Sequence, residues 1–192
     1  MAEYFYNLCD LIQKKHREFG SPDYKKYKDR QADARVQQAD EDVGDLQHYI
    51  SQVVIETLKK IHGTHELPSG EKSYWDIGID NTEIKSTAYK KQQMAPTNKR
   101  SVKEAYLDLI DFDKIIRQPN NWSAFEPIFS IPLPGEKGKK YYLGWLERLN
   151  EVRRLSAHKS PYRQYSDEDL EFVGWLKGQL FDRFTQAGFS VS

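Results

Sequence analysis

The chain has 192 residues, which is enough for one domain, or for one domain with an appendage, around a buried core. Its 29 Lys+Arg and 29 Asp+Glu residues cancel to a formal net charge of +0, whereas a dedicated duplex-DNA binder is usually basic. Cys9 is the only cysteine, which excludes an intrachain disulfide and fits a cytoplasmic protein. No apolar run approaches membrane-spanning length and the amino terminus lacks a signal-peptide core, so we expect no membrane contact.

Helical periodicity dominates the first third of the chain. Residues 3–19 and 43–61 have apolar side chains at helical spacing, and residues 23–42 form a highly polar segment that we expect to be a solvated helix. We therefore divide the chain into an amino-terminal helical extension, residues 1–42, and a helical domain, residues 43–188. Gly63 should end the first helix of this domain. The expected buried stripe of that helix comprises Leu46, Tyr49, Ile50, Val53, Val54, Thr57, Leu58 and Ile61.

A loop and a further helix follow. Residues 64–80 are rich in loop-forming residues, and Tyr74 and Trp75 are the expected anchors of this loop. Asp80 or Asn81 has the character of a helix N-cap, so we predict a helix that starts there and continues to about Gln93.

Two groups of possible metal ligands lie in this region. The first is a pair of loop histidines beside an acid, whose spacing matches no compact zinc motif. The second is an acid followed by Glu-x-Lys, which holds a divalent metal for phosphodiester cleavage when the Glu and the Lys lie on a strand. Because the surroundings are helical, we expect no metal site and no cofactor here. The groups are His62, His65 and Glu66, and Asp76 or Asp80 with Glu83 and Lys85.

Short helices are predicted over residues 113–118 and 123–129, with Pro119 and Pro127 as breaks. Their aromatic and aliphatic side chains should form one wall of the core. Because nearly every segment of the chain is helical, the predicted fold class is all-α. The expected core-wall residues are Trp122, Phe125, Ile128 and Phe129.

The closing helix begins at a capping-box sequence, in which Ser166 is followed three residues later by Asp169. Gly188 is expected to end it. The expected buried face of this helix comprises Leu170, Val173, Trp175, Leu176, Leu180, Phe181 and Phe184.

One further helix, predicted from about Lys139, carries the side chains with the clearest chemistry. Pro161 disfavours helical geometry at the residue before it, so the helix should end near His158. Arg153 lies about one turn earlier, and the two side chains can therefore point into one small volume. The apolar face of this helix is Trp145, Leu146, Leu149, Val152 and Ser156, and its polar face is Glu147, Arg148, Asn150, Glu151, Arg153 and Arg154.

The spacing of Arg153, four residues and His158 resembles the signature of HEPN domains, small helical bundles that often act as ribonucleases. Leu149-Asn150-Glu151-Val152-Arg153 followed by Ala157-His158 is similar to the Leu-Asn-Glu-Ile-Arg and Ala-His of that family. The resemblance extends over roughly residues 43–187. Its other segments are residues 62–63, 74–79, 111–116, 121–129 and 166–173.

This resemblance implies a HEPN-like bundle with extra amino-terminal helices, a homodimer and metal-independent RNA cleavage. In that chemistry a histidine transfers protons, and an arginine binds the phosphate. Arg153 and His158 would be catalytic, and Arg154, Lys159 and Arg163 would widen the RNA-binding surface. Many active members have Asn, Asp or His where this chain has Arg154, so a non-catalytic dimerisation or protein-docking module, within a larger protein, stays open as the alternative.

On the residues alone, both key side chains also have purely structural roles open to them. Arg153 can pair with Glu151 or with an acid on a neighbouring helix. His158 can cap the carboxyl end of its helix, where a positive charge is favourable.

Overall fold

The structure is a computed structural model that describes the backbone of residues 22–132, 138–157 and 165–191, and the side chains of residues 34–132, 141–155 and 165–191. In these residues the secondary structure consists of α-helices, two short 3-10 turns and one isolated bridge between Glu66 and Lys72, without any strand. The predicted all-α class is confirmed. The helices are α1 (Pro22–His62), α2 (Ser73–Asp76), α3 (Thr82–Met94), α4 (Leu109–Ile116), α5 (Pro119–Phe129), α6 (Gly138–Ala157) and α7 (Asp167–Gln186), and the 3-10 turns are Thr97–Lys99 and Lys103–Tyr106.

Helix α1 is one continuous helix of 41 residues, so the prediction of separate helices over 23–42 and 43–61 was wrong. Residues 23–61 contain no proline, and their single glycine, Gly44, costs only about 1 kcal/mol relative to alanine inside a helix. The chain divides into two units between Ala39 and Asp40, and the predicted boundary between residues 42 and 43 lies within the same helix. The helix predicted over residues 3–19 lies outside the described residues.

The core of the second unit is apolar and draws on most of its helices. Gly63, in the left-handed region with φ of 79°, ends α1 as predicted. Ile61 is 40% exposed and was wrongly assigned to the buried stripe, because the chain leaves the core at this turn. The fully buried side chains include Leu46, Ile50, Leu58, Trp75, Ile79, Leu109, Phe112, Ile115, Phe125, Phe129, Trp145 and Phe184.

The turn between α1 and α3 is anchored as expected. Tyr74 and Trp75 are buried within the one-turn helix α2. The Asn81 side chain caps α3, because its Oδ1 accepts hydrogen bonds from the backbone amides of Glu83 and Ile84.

Helices α4 and α5 are longer than predicted. Helix α4 begins four residues earlier than expected, at Leu109, because Asp108 and Asp111 form a capping box there. Pro119 starts α5 rather than breaking the chain, since the first helical position has no need of an amide donor. Pro127 lies inside α5, in its last turn, and the helix ends two residues later.

Helix α7 begins at the predicted capping box of Ser166 and Asp169, and Gly188, with φ of 83°, follows its end. Trp175 is 43% exposed and was wrongly placed on the buried face, whereas Phe172 is 7% exposed. At 3.6 residues per turn, Trp175 lies about 130° around the helix from the centre of the buried stripe. That stripe consists of Phe172, Val173, Leu176, Leu180 and Phe184.

A buried polar network joins the end of α1 to α5. The Asn121 side chain is 0% exposed, and its Nδ2 donates to the carbonyl oxygens of Gly78 at 2.8 Å and Ile115 at 2.9 Å, and to Gln118 Oε1 at 3.1 Å. Its Oδ1 therefore accepts from His62 Nε2, at 2.8 Å. Glycine is needed at position 78, because a Cβ there would lie 2.3 Å from the carbonyl oxygen of Tyr74. The network fixes the turn after α2 against α5.

Candidate functional site

Arg153 lies near the carboxyl end of α6 with its guanidinium half-buried. Its Nη2 donates to Asn150 Oδ1 at 3.3 Å, and its Nε is buried without a hydrogen-bond partner in the described part of the chain. Among these same residues it forms no ion pair, either with Glu151 or with an acid of a neighbouring helix. Asn150 is 7% exposed, so its assignment to the polar face was wrong, since it turns inward to hold the arginine.

Helix α6 presents Arg153 from a rigid base. Leu149 and Val152, the two apolar neighbours of this turn, are 0% and 2% exposed. One turn earlier, Trp145 is buried, and its Nε1 donates to the carbonyl oxygens of Phe129 and Tyr142, both at 3.1 Å. Because the core fixes the helix on this side, the position of the arginine backbone is set by packing.

Arg154 follows on the outside of α6. Its side chain is exposed and lies in the last turn, where a positive charge interacts favourably with the helix dipole. The neighbouring arginines thus differ, because one is held by a buried amide and the other extends into solvent.

The other predicted site residues, His158, Lys159 and Arg163, lie outside the described residues. Helix α6 continues to Ala157, one residue before the expected end. The convergence of Arg153 and His158 on one pocket therefore stays a prediction.

A second surface feature lies between α6 and α7 and was missed in the sequence. The Arg148 guanidinium stacks 4.4 Å above the Phe172 ring, and its Nη2 donates to the carbonyl oxygen of Glu168 at 3.4 Å. Around this pair is a shallow groove of about 380 Å³, lined by Arg148, Glu168, Glu171, Phe172 and Trp175. The five residues from Arg148 to Arg153 correspond to about 140° around a helix, so the groove and the Arg153 side chain face different directions. In the sequence, the groove is indicated only by Trp175, an aromatic residue that lies off the helical spacing of the buried stripe of α7.

Several of the possible metal ligands are engaged with protein partners. His62 bonds to Asn121, and His65 Nδ1 lies 3.3 Å from Ser73 Oγ. Glu83 and Lys85 lie on α3, as the helix prediction required, rather than on a strand. Lys85 Nζ pairs with Asp76 Oδ1 at 2.9 Å, and this hydrogen bond holds the pKa of the Asp76 carboxyl below its usual value. No three His, Cys, Asp or Glu side chains within the described ranges are grouped to hold a metal ion.

The chain was compared with protein-family models, curated proteins and solved structures. No family model matches the chain, and no match was found among curated proteins or among solved structures. The fold and the site define an all-α domain in which Arg153, near the carboxyl end of α6, is held by the buried Asn150 side chain. None of the helices in the described ranges combines the length and apolar character needed to cross a membrane.

Proposed function

We propose that this domain is a metal-independent endoribonuclease of the defence, toxin or RNA-surveillance type that acts in the cytoplasm. The observation that carries the proposal is the state of Arg153. Its guanidinium is half-buried, held by the Asn150 amide and without an ion pair in the described part of the chain. A half-buried charge without a carboxylate partner suits a site that receives an anion from outside. The HEPN-like sequence around it supplies the reaction class.

The proposed reaction is attack of the ribose 2′-oxygen on the adjacent phosphorus. The 2′-OH loses its proton to a base, the new P–O bond forms, and the bond to the 5′-oxygen breaks as that oxygen takes a proton from an acid. Arg153 binds the phosphate oxygens with its planar fork, and His158 transfers protons. Arg154, Lys159 and Arg163 extend the phosphate-binding surface along the RNA.

In an in-line displacement the attacking 2′-oxygen and the leaving 5′-oxygen lie on opposite sides of the phosphorus, so one histidine per chain is too few to serve both. The proposed active form is therefore a homodimer with two facing sites. A twofold interface brings the same surface of α6 from each chain together. Trp145, on the apolar face of α6, is buried and contributes nothing to such an interface, whereas Tyr141 and Tyr142 are half-buried.

Light scattering at micromolar concentration should therefore give about twice the 22.6 kDa mass of one chain. The matched variant His158→Ala should keep the same mass, because it removes only the proposed proton-transfer group. A monomer at this concentration contradicts the composite site.

The experiment for the proposed activity compares two oligonucleotides of one sequence, an RNA and its 2′-deoxy counterpart, in EDTA. We expect the RNA alone to be cut, with a 2′,3′-cyclic phosphate on the upstream product, because the 2′-oxygen is the nucleophile. Cleavage that requires Mg²⁺, or that leaves a 5′-phosphate, contradicts the mechanism.

The alternative is a non-catalytic module for dimerisation or protein docking. Trp175 favours it, because a tryptophan that is 43% exposed beside a groove is the kind of residue that anchors an interface. Under this alternative the chain neither cuts nor binds RNA, and Trp175→Ala shifts the dimer toward monomer while His158→Ala does not.

A further inference from the structure

A second charged side chain of the domain occupies a site of unusual construction, separate from the proposed RNA site. Lys103 Nζ lies 4.6 Å from the centre of the Trp75 ring and 5.5 Å from that of Tyr89. It also pairs with the Glu71 carboxylate and donates to the Tyr89 hydroxyl at 3.4 Å. The Tyr89 hydroxyl in turn donates to Glu71. Two aromatic rings and a carboxylate thus surround one ammonium group.

The surroundings of this ammonium exclude most water. The Lys103 side chain is 15% exposed, and the Trp75 residue beneath it is 0% exposed. Burial lowers the pKa of the Lys103 ammonium, although the nearby Glu104 acts in the opposite direction. Trp75 and Tyr89 meet edge to face with ring centres 6.1 Å apart, which fixes both rings. Cation–π attraction is strongest for such desolvated ammonium groups over fixed rings.

Lys103 belongs to a segment, residues 95–106, which we call the strap. None of the strap residues is fully buried, and of them Tyr106 alone, at the end of the strap, packs against the apolar core. Its attachments to α3 are polar: Gln92 donates to the carbonyl oxygen of Ser101 at 2.9 Å, and Lys91 to that of Tyr106 at 3.3 Å. The Tyr74 hydroxyl of α2 donates to Glu104.

We propose that Trp75, Tyr89 and Glu71 form a binding site for an alkylammonium group, and that the chain's own Lys103 fills this site and thereby latches the strap over α2 and α3. The rings and the carboxylate recognise the charge and size of a primary ammonium on an alkyl stem. When Lys103 leaves, the site is open to an ammonium group of the same kind from another molecule, and the strap is released.

Chemical rescue of Lys103→Ala by n-butylammonium tests this proposal. Trypsin cleavage after the exposed Lys99 and Arg100 measures strap opening. We expect the variant to be cut about tenfold faster than the wild-type protein, because local opening sets the cleavage rate. Adding n-butylammonium chloride should restore slow cleavage, whereas n-butanol of the same length, in the same concentration of NaCl, should not.

Two further variants make the result decisive. Lys90→Ala removes an exposed lysine one residue after Tyr89 and should leave the cleavage rate unchanged. Lys103→Met keeps the alkyl stem without the charge and should open the strap as Lys103→Ala does. If Lys103→Ala does not fold, the cleavage rate of Lys103→Met tests the latch in its place. Unchanged cleavage of Lys103→Met, or equal rescue by n-butanol and n-butylammonium, overturns the proposal.

Discussion

Asn121→Ala is expected to lower the free energy of unfolding by roughly 3–5 kcal/mol, because it removes every hydrogen bond of a fully buried amide and leaves a cavity in its place. The lost contacts are those to the carbonyl oxygens of Gly78 and Ile115, to Gln118 Oε1 and to His62 Nε2. The carbonyl oxygen of Ile115 keeps the Gln118 amide and Gln118 Oε1 keeps the Asp80 amide, whereas the carbonyl oxygen of the buried Gly78 loses its partner in the described part of the chain. Urea denaturation measures the effect, and a constant slope with denaturant shows that the unfolded state is unchanged.

The neighbouring residue provides the matched control. Asn120 is exposed and makes one longer hydrogen bond, from its Nδ2 to the carbonyl oxygen of Ile77 at 3.3 Å. Asn120→Ala should therefore stay within about 0.5 kcal/mol of the wild-type value, as surface substitutions usually do. Asn121→Asp separates hydrogen bonding from cavity formation, because it keeps the volume and replaces donors with an acceptor. If Asn121→Asp and Asn120→Ala cost equally little, the network does not hold the turn as described.

This network also shows where prediction from the sequence stops. The helical periods and the caps at Asn81 and Ser166 are local signals, and the structure confirms them. The partners of Asn121 include His62 and Gly78, which lie 59 and 43 residues away along the chain. No periodicity connects residues at such separations. The segments around residues 62–63, 74–79 and 121–129, which the sequence analysis treated separately, meet at this one amide.

The wrong predictions for Pro119, expected to break the chain, and for Trp175, expected to be buried, have a common cause. A residue type gives a preference, whereas its position within the helix decides the outcome. Pro119 is harmless because it falls in a first turn, and Trp175 is exposed because the buried stripe of α7 is narrow. For the candidate site, the sequence predicted that α6 carries Arg153 to the end of a helix. It did not predict that Asn150 turns inward to hold the guanidinium, since asparagine is usually a surface residue.

The last prediction concerns the opposite effects of one substitution on stability and on RNA. Arg153→Met should leave the free energy of unfolding unchanged within about 0.5 kcal/mol or raise it, because it removes a half-buried charge whose Nε has no partner in the described residues. The same variant should weaken RNA binding about tenfold and slow cleavage further, since the guanidinium fork holds the phosphate. Lys90→Met is the matched control, since it removes an exposed charge on α3, outside the proposed RNA-binding surface, and should leave binding unchanged.

His158→Ala completes the test by separating chemistry from binding. It should slow cleavage by about 100-fold or more, as expected when a proton-transfer group is lost, while RNA affinity changes little. Single-turnover cleavage and filter binding on the same RNA measure the two quantities for all three variants. If Arg153→Met destabilises the fold and leaves RNA binding intact, the arginine is a structural residue. If His158→Ala then also cleaves at the wild-type rate, Arg153 and His158 are not the catalytic pair, because a site that tolerates both losses does not use the pair for phosphoryl chemistry. The docking module takes the place of the nuclease if the wild-type chain itself neither cuts nor binds RNA.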